Sequence, residues 1–149
     1  MSVIGSIKQK IINHLNALQT AGKLGQVIVE KGGAQNMFDR DLMKYPVAIL
    51  LPGTAEGNTE TNQQNLYAFA FDIVIVMKGE NITGSTDTED LLEAIVQEFN
   101  DDFTLGGTAE GAVDPASSTP APVEHEGQTY VVFVVVLRAK ALLTFNLQS

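Results

Sequence analysis

At 149 residues, with 44% hydrophobic content and no cysteine, the chain is long enough to bury the core of one domain, and disulfides, cysteine nucleophiles and thiolate metal sites are excluded. Eighteen acidic residues against nine basic ones give a net charge of −9, which opposes the counterion release that drives nucleic-acid affinity; the basic residues are scattered and form no stripe. The longest apolar run, residues 131–137, falls far short of the roughly 18 a membrane-spanning helix needs, and the opening Met1-Ser2-Val3-Ile4-Gly5 lacks a secretory leader's pattern, so a soluble protein of a reducing compartment is expected.

In chain order, Ile4, Ile7, Ile11, Leu15 and Leu18 recur at steps of three or four and predict a first amphipathic helix, closed by Gly22 and Gly25. Residues 26–30 predict a short β-branched strand ended by Lys31-Gly32-Gly33, and residues 34–44 a loop with room for one helical turn. Residues 45–51 predict a second strand, with Pro46 placing it at a sheet edge or a strand entrance. Residues 53–65, rich in Gly, Thr, Glu, Asn and Gln, read as a long mobile hairpin loop. Residues 66–77 are the clearest strand in the chain, turned afterwards by Lys78-Gly79-Glu80-Asn81. Thr86-Asp87-Thr88-Glu89 matches a capping box, and Leu91, Leu92, Ile95, Val96 and Phe99 follow at helical spacing. Residues 106–122 read as a flexible connector, and residues 128–147 as strand throughout, with a bend expected near Lys140 or Ala141 because so long a run exceeds a usual strand. Gly-Thr-Ala-Glu-Gly occurs at 53–57 and again at 107–111, but the flanks differ and the repetition reads as coincidence.

These elements predict a single α+β domain: a mainly antiparallel sheet of four to five strands with two amphipathic helices packed on one face. Side chains alternate across a strand, so a sheet with one wet face should alternate apolar and polar residues. Here Tyr67, Phe69, Phe71, Ile73, Ile75 and Met77 are opposed by Leu66, Ala68, Ala70, Asp72, Val74 and Val76, while Val131, Phe133, Val135 and Leu137 are opposed by Val132, Val134 and Val136. Both faces call for cover, and two helices supply it for about one. A neighbouring subunit is the expected cover for the other; loops folding over it, or closure into a barrel, are the alternatives. Asp72 and Arg138, both among apolar neighbours, form a candidate structural ion pair if their strands are adjacent and they share a face.

No constellation for catalysis emerges, and no catalytic, cofactor-binding or metal residues are predicted. His14 has Lys10 and Leu18 for helical neighbours and reads as a solvated helix histidine. His125 stands between Glu124 and Glu126, but in an extended chain the carboxylates face away from the imidazole. Asp87, Glu89 and Asp90 suit a helix N-terminus, and Asp101 and Asp102 a solvated turn beyond the helix; none has the spacing of a calcium loop. No Gly-rich loop joins a strand to a helix, and the aromatics lack the basic neighbours of an RNA platform.

The ordering resembles that of the tail terminator, or tail completion, proteins of long-tailed bacteriophages; the likeness of size, order and character runs over residues 4–147 and is best carried by 45–51, 66–77 and 130–145. The resemblance implies a virion protein, made in the host cytoplasm, whose homohexameric ring caps the growing tail tube, halts its polymerisation and joins the tail to the head connector. It implies no cofactor, no membrane, and DNA only as a passenger through an acidic lumen. Thr54, Glu56, Asn58, Glu60 and Gln63 in the first polar segment, with Thr108 and Glu110 in the second, are then candidate contacts to the tube or connector. The alternatives are another neck or tail component, such as a head-closure or tube protein, and, from a different class, a small-ligand-binding or enzymatic α+β domain.

Overall fold

The structure, a computed structural model, describes residues 3–30, 44–59, 64–78, 85–100 and 114–144. The first apolar stripe forms α1 (Val3–Thr20), with Ile7, Ile11, Leu15 and Leu18 buried. It ends where Gly22 adopts φ +80°: the Lys23 N–H donates to the Leu18 carbonyl at 2.9 Å and the Gly22 N–H to that of Gln19 at 3.0 Å, the paired bonds of a Schellman cap. A side chain at that φ would be strained, hence glycine. The second stripe forms α2 (Ser85–Asn100), which buries Leu91, Ile95 and Phe99 and half-buries Leu92 and Val96. Its start falls one residue before the predicted capping box, within the usual fraying of helix ends.

The sheet is mixed, mostly antiparallel and five strands wide, so the class is α+β. β1 (Gln26–Val29) runs parallel to β2 (Val47–Leu50), which is antiparallel to β4 (Gln64–Lys78). Pro46 stands at the entrance to β2, which has neighbours on both sides. At the centre, β4 pairs with β7 (Gln128–Thr144) from Gln64↔Thr144 to Lys78↔Tyr130, an unbroken ladder about 50 Å long at the rise of an extended chain. The bend expected near Lys140 does not interrupt it: Ala68↔Lys140 and Tyr67↔Ala141 pair like their neighbours. A chain that hydrogen-bonds to a partner at every rung has no need to break at a typical strand length.

Both polar segments contain strands that hydropathy does not reveal. Thr54–Thr59 is β3, paired with the first half of β4, and the segment read as a connector holds β5 (Asp114–Ser117) and the start of β6 (Ala121–His125), both paired with β7. The two-residue turn Glu126-Gly127, both at positive φ (51° and 78°), joins β6 to β7 as a tight hairpin. The expectation of long loops is corrected here for a simple reason: an edge strand is held by its ladder and needs no apolar face. Pro115 and Pro122 lie on this edge, where a missing N–H donor is tolerated.

Each edge contains a bulge. Leu50 pairs with Ile73 and Thr54 with Ala70, so Leu51, Pro52 and Gly53 span what only Phe71 and Asp72 span opposite. On the other side, Ser117 pairs with Val135 and Ala121 with Val132, so Ser118, Thr119 and Pro120 face Phe133 and Val134. Ser118 bridges the second break: its N–H donates to the Val134 carbonyl and its Oγ accepts from the Val134 N–H, both at 2.9 Å. The extra residue reverses facing. Ala48 and Leu50 belong to the main core, whereas Thr54, Glu56 and Asn58 occupy register positions opposite Ala70, Ala68 and Leu66, on the other face.

Odd-numbered residues of β4 and β7, from Phe69 to Met77 and from Phe133 to Ala139, form one buried cluster with the stripes of both helices. This is the first face. The second face carries the even-numbered residues, and the expectation that it lies open along its length is corrected. Ile28, Val47, Ile49, Val74, Val76 and Tyr130 form a second buried cluster within the single chain, Val47 and Val76 being 0% exposed. Cover then stops. Beyond Val74, Asp72 is exposed and Ala70 half-buried; on β7, Val132, Val134 and Val136 are half-buried and Arg138 is exposed. Residues 34–43 of the loop predicted over 34–44, and the second copy of the pentapeptide, lie outside the described residues.

Candidate functional site

The sealed end of the second face is closed by two tyrosines. Tyr45, at the entrance to β2, meets Tyr130 of β7 with ring centroids 5.7 Å apart, tilted by 42°. Lys78, the rung partner of Tyr130, holds its Nζ 5.2 Å from the centre of the Tyr45 ring, in cation–π range. Burial, reinforced by the neighbouring Tyr130 charge and a hydrogen bond with its hydroxyl, pushes the Tyr45 phenol up from 10.0 to about 12. A phenol that binds its proton more tightly when folded contributes stability that is fully present below pH 10 and is lost as the pH rises towards 12. Tyr45→Phe should therefore flatten the decline in denaturant midpoint across that interval and delete a component near pH 12 from the absorbance titration of tyrosine. A decline as steep as in the parent chain would contradict the assignment.

His14 is not the solvated helix histidine that its own helix suggests. It is partly buried, its Nδ1 lies 3.9 Å from Oε2 of Glu98, and its ring tilts at 56° against Phe99 with centroids 5.3 Å apart. Both neighbours come from α2, so α1 and α2 touch along this line. His125 lies 3.8 Å, through Nε2, from Oε1 of Glu126, because Glu126 occupies the left-handed turn position and leaves the alternation of the extended chain. Among the described residues, no group of three His, Cys, Asp or Glu side chains is placed to hold a metal ion.

The register puts Asp72 and Arg138 on adjacent strands and on one face: Asp72 pairs with Val136, Arg138 with Ala70, and the two stand diagonally. Such diagonals are roughly 7–8 Å between Cα atoms, within reach of an arginine. Yet both side chains are exposed, and among the described residues no ion pair joins them. They do not form the enclosed structural pair expected. Asp114 stands opposite Arg138 on the other side of β7, and Lys140 lies two residues further on, at register positions of this same face.

Of the candidate contact residues, Thr54 is exposed, and Thr54, Glu56 and Asn58 lie on β3 at register positions beside this open end. Glu60, Gln63, Thr108 and Glu110 lie outside the described residues. No helix among the described residues is long and apolar enough to cross a membrane. No protein-family model matches the chain, and no curated protein matches it either.

Proposed function

We propose that this chain is a structural subunit of a long-tailed phage neck, of the tail-terminator kind, which closes into a hexameric ring, caps the tail tube, stops its growth and presents a surface to the head connector. The observation that carries the reading is the abrupt end of cover on the second sheet face, where half-buried Ala70, Val134 and Val136 surround exposed Asp72 and Arg138. Half-buried apolar residues interleaved with charged positions, on the central strands of a sheet, suit a subunit contact better than a free wall. The net charge of −9 supports the same reading, since a ring lumen of that sign lets DNA pass without holding it. The other end of the face is sealed within the chain, which leaves the open end for a neighbour to cover.

The test is solution mass, by light scattering over a range of concentrations, alone and with purified tail-tube subunits. A particle of six times the 16.0 kDa protomer is expected, together with shortened tubes in electron micrographs. A protein monomeric in both settings, with tubes of unaltered length, would sink the proposal.

A further inference from the structure

We propose that Tyr45 and Tyr130 form an oxidation site, at which a one-electron oxidant joins the two rings through a carbon-carbon bond between their ortho positions and staples the entrance of β2 to β7. The chain has no cysteine and so no disulfide, and this bond would be a covalent staple that thiols do not reverse. It is independent of the assembly reading above.

Continuing the pairing Val47↔Val76 outward sets Tyr45 level with Lys78, whose partner on the far side is Tyr130, so one row across β2, β4 and β7 holds all three. The two rings meet across this row with centroids 5.7 Å apart, and their hydroxyls share a hydrogen bond. Phenols couple at the carbons beside the one bearing oxygen, and the product keeps its two hydroxyls side by side. The hydrogen bond already presents the rings in that order, and a turn about the broad terminal side-chain torsions completes the approach. Lys78, with Nζ 5.2 Å from the Tyr45 ring centre, holds that ring in place. Tyr45 is half-buried, so its electron and proton leave at the surface; Tyr130, 6% exposed, passes its own proton out through the Tyr45 oxygen. Each phenol gives up one electron and one proton, the two radicals join, and the ring hydrogens at the new bond move to the oxygens and restore both hydroxyls. Each link delivers two electrons to the oxidant, a high-valent haem or metal complex reduced twice. Tyr67, the third tyrosine, stands eleven rungs along β4 from Lys78, about 36 Å at the rise of a strand, and cannot reach either ring within one chain.

Photo-oxidation with tris(bipyridine)ruthenium(II) and persulfate tests it, one persulfate taking up the two electrons and leaving two sulfates. The folded chain should yield a monomer lighter by two hydrogens, with the blue fluorescence of dityrosine, in which cleavage after lysine and arginine leaves fragments 45–78 and 79–138 joined. Y67F should keep this product, whereas Y45F and Y130F, each short of one hydroxyl only, should lose it. Because the bond closes a long loop in the unfolded chain, the melting midpoint of the linked monomer should rise by roughly 10 °C. Three results overturn the proposal: a link between these fragments that survives Y45F, one that forms as abundantly in chains unfolded by urea, or a folded parent chain that yields no lighter monomer. The assembly reading stands or falls separately from all three.

Discussion

Replacing Phe71 with alanine is expected to lower the unfolding free energy by about 3–5 kcal/mol, the usual cost of truncating a fully buried aromatic. Phe71 is 0% exposed at the middle of the longest ladder and sits in the core shared by both helices. Its ring also occupies space that another residue leaves vacant: a Cβ at Gly53 would lie 2.6 Å from the ring edge. Truncation thus opens a void bordered by a residue with no side chain to move in, at a bulge fixed by the Leu51 N–H bond to the Asp72 carbonyl at 2.9 Å. For a chain of this length the melting midpoint should fall by roughly 10 °C. Asp72→Ala, one residue on but exposed on the other face, should shift the same stability by less than about 0.5 kcal/mol. Equal effects at the two positions would refute the assigned facing of β4.

Gly25→Ala should cost about 1–3 kcal/mol, by overcrowding and not by loss of contact. A Cβ at this position would stand 2.4 Å from the Lys44 carbonyl oxygen and 2.9 Å from that of Tyr45, both backbone atoms that cannot rotate aside. The same spot is stitched twice: the Gly25 N–H donates to the Pro46 carbonyl at 2.8 Å, and the Lys44 N–H to Gln26 Oε1 at 3.1 Å. Displacing these segments draws β1 away from β2 and loosens Ile28 in the second cluster. Amide exchange should accordingly quicken at Gln26, Ile28 and Glu30 well before it does along β4. Unchanged protection of β1 in a folded Gly25→Ala chain would show that the close approach does not hold the strand.

The parts of this fold visible in the sequence are those whose signal is local. Ile7, Ile11, Leu15 and Leu18 announce α1 because burial repeats with the helical turn, and Gly22 announces its end because few other residues accept that φ. The two apolar faces of β4 are equally legible, since alternation is a property of one strand. What stays hidden depends on partners distant in the chain. β3, reading Thr-Ala-Glu-Gly-Asn-Thr, and β5, reading Asp-Pro-Ala-Ser, have no apolar period and are strands only because β4 and β7 extend far enough to bond them. The contact between His14 and Glu98 joins two helices that a search at helical spacing never compares. The division of the second face into sealed and open halves is also beyond reach, because Val74 and Val136 look alike in sequence and differ only in what lies above them.

The one-residue surplus at positions 51–53 makes chain length there matter more than residue identity. Deleting any one of the three would restore an even count, and every later position of that edge would exchange sides, moving the place of Glu56 in the register to the greasy interior and those of Ala55 and Gly57 to the opposite side. Point changes at Leu51 or Pro52 leave that count intact, but a lost or gained codon rewrites which half of the segment a neighbour could touch.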